Sequence, residues 1–370
     1  MKAAVLHPWD LSAKEAMLTQ ERLASRVIRE GDLAVDHVRY IAGADVAFDK
    51  PNGRAVGAVV VVAFPSLVEV ERVSVEVPVS FPYIPGLLSF RETPVILEAF
   101  ERLRHMPGLV MIDGHGYAHP RRFGYACHVG LLLDVPTIGV AKSRLLGEAG
   151  TVAGPRGSRA DVIDRGDVVG SMLRSRQGVR SIYISVGHKI SLPAAERWVL
   201  ACGDGFRVAM PTRLADRAAG EAKRRMLDAT LEILIEQRAG EAGRWEWDPA
   251  DDEIHFKHDS PGMVTHYGCS VDIVNPADGE LLDVMLVDGR PRERGERLRA
   301  RVVDVLERSD GDHKLLAIPL DTRTCLDGMR ERIWKWYLAQ MKPVTRWGGE
   351  DAAITLIRAR RDATDERHER

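Results

Sequence analysis

The sequence predicts a mixed α/β sheet with flanking helices, followed by a second domain built mainly of short strands. Three observations carry this. A chain of 370 residues is long for one domain. Its first half places three β-branched runs ahead of alternating helical and strand patterns, the order expected of a mixed sheet. The texture then changes after Ala239-Gly240-Glu241-Ala242-Gly243, a Gly-rich break beyond which short strands dominate.

Taken in order, Ala13 to Val27 reads as an amphipathic helix, and Tyr40 to Phe48, Ala55 to Phe64 and Leu67 to Val77 as a strand meander. A Pro-rich loop, Phe81 to Gly86, leads to a helix from about Thr93 to His105. The apolar run Leu109 to Ile112 forms a short buried strand ending at Asp113. A helix near Arg122 to Leu132, strands at Thr137 to Ala141 and Ser181 to Val186, and a helix at Leu192 to Cys202 follow. Leu214 to Arg238 reads as one long charged helix, with Met226, Leu227, Leu231 and Leu234 near helical spacing. Short strands run to about Pro319, and helices near Leu326 to Met341 and Gly349 to Arg361 precede a charged end. The expected organisation is a first domain over 1–225, a helical linker over 226–243, a second domain over 244–360 and a tail over 361–370.

Composition narrows the function classes. An apolar fraction of 45% suits a chain that buries real cores. A net charge of −2 gives no overall nucleic-acid footprint, which leaves a local basic site open. Cys127, Cys202, Cys269 and Cys325 form no C-x-x-C pair, so neither a zinc site nor a disulfide framework is expected, and a cytoplasmic location fits. No signal peptide and no membrane-length apolar run is seen.

Chemistry concentrates at Asp113-Gly114-His115-Gly116 and His119-Pro120-Arg121-Arg122. A carboxylate at a strand end beside basic residues suits a hard metal ion holding a phosphate; a charged surface turn reads equally well from this stretch alone. Asp45 lies inside the apolar strand Ile41 to Phe48, where a carboxylate is costly unless paired or metal-bound. Glu92 opens the helix after the Pro-rich loop and Asp216 sits near the start of the long helix. Each also reads as an ordinary charge, Glu92 serving the helix dipole and Asp216 a cap or solvent.

The motifs together are far more specific. Pro82-Tyr83-Ile84-Pro85-Gly86, Phe90-Arg91-Glu92, the Asp113 and His119 segments, Val135 to Lys142, Gly187 to Ser191 and Pro211 to Asp216 occur in one order, and residues 10–225 closely resemble endonuclease V, the inosine-directed repair nuclease. The resemblance implies a ribonuclease-H-like fold and a Mg²⁺-dependent site, with Mn²⁺ as a substitute. Asp45, Glu92 and Asp113 take the family's metal-binding carboxylates, Asp216 a further acidic position, Lys142 the active-site lysine and Tyr83 the wedge tyrosine. Ile84, Pro85, Gly86, His115, Gly116, His119 and Arg121 fall in its DNA- and lesion-contacting motifs. It also places the cut at the second phosphodiester 3′ to the lesion. A wedge at Tyr83-Ile84-Pro85 suits insertion into a duplex from which a weakly paired base is turned out.

The second domain carries Asp278-Gly279-Glu280-Leu281-Leu282-Asp283 before an apolar strand, Glu307 and Asp312 about a turn, and Lys314. On spacing alone this is an acidic turn in a β-rich domain. Residues 244–360 nevertheless look like the soluble inorganic pyrophosphatases, which implies an OB-type β-barrel with C-terminal helices. Asp278, Glu280, Asp283, Glu307 and Asp312 would then hold metal, and Arg244, Lys257, Tyr267, Lys314 and Tyr337 phosphate. The match is divergent: Glu replaces Asp at 280 and 307, Arg and Lys are exchanged at 244 and 257, and Leu338 stands where a Lys is usual. Arg and Lys present different phosphate geometry, so an altered hydrolase and a phosphate-binding or docking accessory both remain open.

The expected function is therefore a repair endonuclease acting on deaminated DNA, with inosine-containing RNA as the alternative substrate. A second alternative is a bifunctional protein that also cleaves pyrophosphate or a nucleotide pyrophosphate link. No membrane partner is expected, and the second domain is the candidate for homo-oligomer formation.

Overall fold

The computed structural model describes residues 1–34, 37–50, 53–274, 281–321 and 326–368. The chain divides into two compact units, Met1–Lys223 and Arg224–Arg370.

The first unit comprises α1 (Ala13–Ala24), β1 (Tyr40–Asp49), β2 (Arg54–Ala63), β3 (Val68–Pro78), α2 (Leu88–Glu101), β4 (Leu109–Asp113), α3 (Tyr125–Leu133), β5 (Thr137–Ala141), β6 (Glu148–Ala149), β7 (Arg159–Asp164), β8 (Asp167–Leu173), β9 (Ile182–His188), α4 (Leu192–Ala201) and most of α5 (Met210–Asp228). Among the described residues nine strands form one sheet in the order β3-β2-β1-β4-β5-β9-β8-β7-β6. β1, β4 and β5 are parallel neighbours, and the flanking strands are antiparallel. One face packs on α2 and α3 through Val95, Ile96, Phe100 and Val129, and the other on α4 through Ala195, Trp198 and Val199. Burial on both faces explains why β2 and β4 read as continuous apolar runs.

The expected mixed sheet is present, with shifted boundaries. Sequence places Thr93-Pro94 at a helix start, yet α2 begins at Leu88 and runs through Pro94. Burial of Phe90, Val95 and Ile96 outweighs the hydrogen bond that Pro94 cannot make. Glu92 therefore sits inside the helix rather than at its opening. The hairpin strands β7 and β8 carry no expectation from sequence.

The second unit contains β10 (Thr230–Gln237), β11 (Arg244–Asp248), β12 (Glu253–His258), β13 (His266–Val274), β14 (Leu281–Leu286), β15 (Arg297–Arg308), β16 (Lys314–Pro319), α6 (Met329–Ala339), β17 (Val344–Trp347) and α7 (Gly349–His368). β10, β13, β14, β16 and β15 pair in that order, and a β10–β15 pairing closes them into a five-stranded barrel. Leu231, Ile233, Val284, Val302 and Leu315 fill it, with Ala353 and Ile357 of α7 packed against the same core.

The helical linker expected over 226–243 is not there. α5 ends at Asp228 and Thr230–Gln237 is a barrel strand. Leu231, Ile233 and Ile235 alternate into the core, so the period there is two. The leucines at helical spacing misled because β10 is buried on both faces, so Leu234 is apolar although it lies on the face opposite Leu231. No described helix is long and apolar enough to cross a membrane.

Candidate active site

The acidic site is built where β4 ends beside the middle of its parallel neighbour β1. Their register pairs Ala44 with Ile112, so the next residues, Asp45 and Asp113, are neighbours across the sheet. The start of α5 supplies the third carboxylate, Asp216. This approach depends on Gly43, two residues before Asp45 and on the same face. A Cβ at Gly43 would lie 1.9 Å from the Pro211 carbonyl oxygen, so only glycine lets the helix start seat on β1. Ala218 and Ala219 continue the small-residue contact against Ala58 and Val60 of β2.

One carboxylate oxygen from each of Asp45, Asp113 and Asp216 lies within 4.8 Å of the others. Glu92 of α2 is buried beside them. Burial first, then the Asp113 and Asp216 charges, pushes the Asp45 carboxyl up to about 7. Burial, with Asp45 and Asp113 adding, raises Glu92 well above the usual carboxylate range. These acids repel one another without a counter-charge. An all-oxygen set with an excess of negative charge fits a hard divalent cation, and Asp45, Asp113 and Asp216 are the residues that could hold it, with Glu92 behind them.

Lys142, one residue past β5, provides a partial counter-charge. Its Nζ lies 2.6 Å from Asp113 Oδ2 and 3.7 Å from Asp216 Oδ2. Its backbone is pinned by Arg207, whose Nη2 donates to the carbonyls of Lys142 at 2.7 Å and Ser181 at 3.0 Å. Sequence reading passed over Arg207, which belongs to no motif.

The other expected contact residues separate into two groups. Tyr83 is 70% exposed at the tip of its loop, while Ile84 packs against the cluster of Ala16, Phe81, Leu87 and Phe90. Pro85 is exposed and Gly86 half-buried. His115, His119 and Arg121 instead turn inward. His115 Nε2 lies 3.0 Å from the Ser143 carbonyl, bracing the loop after Lys142. His119 Nε2 and Arg121 Nη2 both reach the Gly86 carbonyl, at 3.0 and 2.8 Å. Gly116 is required by crowding: a Cβ there would lie 2.1 Å from the Val186 carbonyl oxygen.

In the barrel unit, a cavity of about 560 Å³ is lined by Arg244, Tyr267, Asp283, Arg308, Lys314 and Lys342, among others. Asp283 Oδ1 accepts from Arg244 at 3.3 Å and Oδ2 from Lys314. Asp312 accepts from Lys314 at 2.5 Å and from Arg308 at 2.8 Å. Burial opposes ionisation of Asp283, but Lys314 and Arg244 hold its carboxyl below the usual range. Tyr337 is buried at the cavity wall. Lys257 reaches the cavity only indirectly, through Glu246 at 3.2 Å. Glu307 is not brought to it; it pairs with Arg346 at 2.7 Å. Asp278 and Glu280 lie outside the described residues. Asp283 and Asp312 are thus each paired with two cationic side chains. Lys342, absent from the sequence reading, sits beside the rings of Trp336 and Tyr337 at 5.4 and 5.7 Å.

A third acidic group, Asp248, Asp251 and His255, is exposed. Asp248 and Asp251 each accept a backbone amide two residues on, and Asp251 also meets His255 at 2.9 Å, the ordinary bonding of a hairpin turn.

A family model described as Endonuclease V matches residues 21–217. The chain belongs to the endonuclease V family. It is accordingly an endonuclease, a hydrolase of phosphodiester bonds. The endonuclease V of Trichormus variabilis is 46% identical over 213 residues, covering 58% of this chain and 96% of that relative. The crystal structure of Ciona intestinalis endonuclease V, solved with a 24mer DNA containing an inosine followed by a ribo-adenosine, superposes with a TM-score of 0.52 at 29% identity, covering 57% of this chain and 97% of that one. An inorganic pyrophosphatase from Neisseria gonorrhoeae covers 38% of this chain and 94% of its own length at 24% identity and a TM-score of 0.34, a likeness too weak to bear on function.

Proposed function

We propose that this chain is a Mg²⁺-dependent DNA-repair endonuclease that recognises deaminated bases, deoxyinosine foremost, and hydrolyses the second phosphodiester bond 3′ to the lesion. The observation that carries the reading is the convergence of Asp45, Asp113 and Asp216 with Lys142 Nζ 2.6 Å from Asp113. A divalent ion held by these carboxylates supplies Lewis acidity toward a phosphate oxygen and toward water. Lys142 offsets negative charge as it develops on the phosphate. Tyr83 is exposed at a loop tip where it can fill the space left in a duplex by an extruded base. The inosine in the DNA bound to the Ciona relative supports the substrate class. Cleavage of a deoxyinosine duplex in Mg²⁺, mapped at single-nucleotide resolution, tests the reading. Cutting anywhere but one phosphodiester beyond the lesion's own 3′ bond overturns the position, and full activity in EDTA overturns the metal.

A second substrate reading, inosine-containing RNA, is favoured by the ribo-adenosine that follows the inosine in the DNA of that same complex. For the barrel unit we propose a phosphate-binding accessory in place of a pyrophosphatase. The supporting observation is that Asp283 and Asp312 are each bonded to two cationic side chains, while Lys342 has an ammonium held below its usual range by burial and by Arg308, Lys314 and Arg244. Cationic groups crowded in this way are relieved by an anion. Phosphate release from pyrophosphate in Mg²⁺ would restore the hydrolase reading.

A further inference from the structure

The wedge loop is held at both ends by side chains from elsewhere in the fold. At its start, Arg91 Nη1 donates to the Phe81 carbonyl at 2.7 Å. At its end, three donors converge on the single carbonyl oxygen of Gly86: Arg121 Nη2 at 2.8 Å, His119 Nε2 at 3.0 Å and Gln20 Nε2 at 3.1 Å. Gln20 belongs to α1, far from the loop in sequence. It is 1% exposed and uses its remaining capacity in the same network. Its Nε2 also donates to the Phe123 carbonyl at 3.0 Å, and its Oε1 accepts from Arg121 Nε at 2.6 Å.

We infer that Gln20, Arg121 and His119 form a latch that fixes the Tyr83 loop through the Gly86 carbonyl, so that they are positioning residues for lesion extrusion. The inference rests on the wedge reading of Tyr83 proposed above.

Three points support it. A carbonyl oxygen has two lone pairs, and three donors including a guanidinium exceed what fold closure alone requires. His119 is committed at both nitrogens: Nε2 must carry the hydrogen given to Gly86, which leaves Nδ1 to accept from the Arg121 amide at 3.3 Å. Burial, then the Arg121 charge, lowers His119 to about 4, consistent with the neutral ring this pattern needs. Finally, Tyr83 lies between the two pinned ends. A wedge that must push into stacked bases works only if its base does not yield.

The test compares duplex with single-stranded inosine oligonucleotides under single turnover in Mg²⁺, since a single strand has little stacking to break. Tyr83→Ala should lose rate on the duplex selectively. Gln20→Met, which removes all three hydrogen bonds with little change of volume, should lose about tenfold or more on the duplex and remain near wild type on the single strand. Arg121→Lys serves the same comparison should Gln20→Met not fold. Equal losses on both substrates, or no loss on the duplex, would overturn the latch while leaving the wedge in place. Absence of a duplex-selective loss in Tyr83→Ala would overturn the wedge itself, and the latch with it.

Discussion

Lys142 Nζ stands 2.6 Å from Asp113 Oδ2 although the two residues come from different parallel strands. The β4–β5 register pairs Asp113 with Val140, which carries the lysine two residues later to the same sheet end. The pair gives one cation to a group of four acids, so the lysine is best understood as part of the phosphate site. Lys142→Ala should lower kcat by roughly 10²–10³-fold with a much smaller change in KM. A rise in KM alone, measured on a deoxyinosine duplex, would assign it to binding.

Gly43 governs where Asp216 stands. Gly43→Ala places a methyl group against the Pro211 carbonyl, and the start of α5 must withdraw. The expected cost is about 1–3 kcal/mol by thermal or urea unfolding. A larger relative loss of cleavage should accompany it as Asp216 moves from Asp45 and Asp113. A stable and fully active Gly43→Ala protein would show that the approach of α5 is not required.

These two residues also mark what sequence can reveal. Asp45 and Asp113 are legible because a carboxylate in or at the end of an apolar strand is costly and therefore conspicuous. Gly43 and Arg207 are not, since their roles exist only once strand and helix meet. Gln20 left a faint signal: Ala16, Thr19, Gln20 and Leu23 form the buried stripe of α1, and a glutamine on that face needs partners. For His119 and Arg121 the resemblance offered lesion contacts, while their inward bonds to the Gly86 carbonyl become visible only once the loop is folded. The strand β10 was hidden because both its faces are buried, which lets its apolar residues also fall at helical spacing.

Glu71 predicts the acid behaviour of the first unit. Burial disfavours its charge, but the backbone amides of Arg104 and His105 and the His105 ring outweigh this and hold it at about 2. A carboxyl lowered in the folded state stabilises it above its ordinary value near 4.5, and this contribution disappears as pH falls from there toward 2. Glu71→Gln should lower the melting temperature at neutral pH. The difference from wild type should shrink between about pH 4.5 and 2; a difference that is constant with pH would contradict the assignment.

Pyrophosphate should bind the barrel cavity without a divalent ion. In EDTA, calorimetry on the full chain should detect binding that Lys342→Ala weakens by about tenfold, the scale of one charge-assisted contact. Binding that appears only with Mg²⁺ would restore the metal-site reading of Asp283 and Asp312.

The central claim is that Asp45, Asp113 and Asp216 bind the ion that activates phosphodiester cleavage. It is tested most directly by titrating Mg²⁺ into single-turnover cleavage of a deoxyinosine duplex by wild type and Asp113→Asn. The expected result is saturable, EDTA-reversible cleavage by wild type, and a loss of at least about 10²-fold in the variant that excess Mg²⁺ does not repair. Asp113→Asn cutting at the wild-type rate, or wild type cutting fully in EDTA, would contradict it.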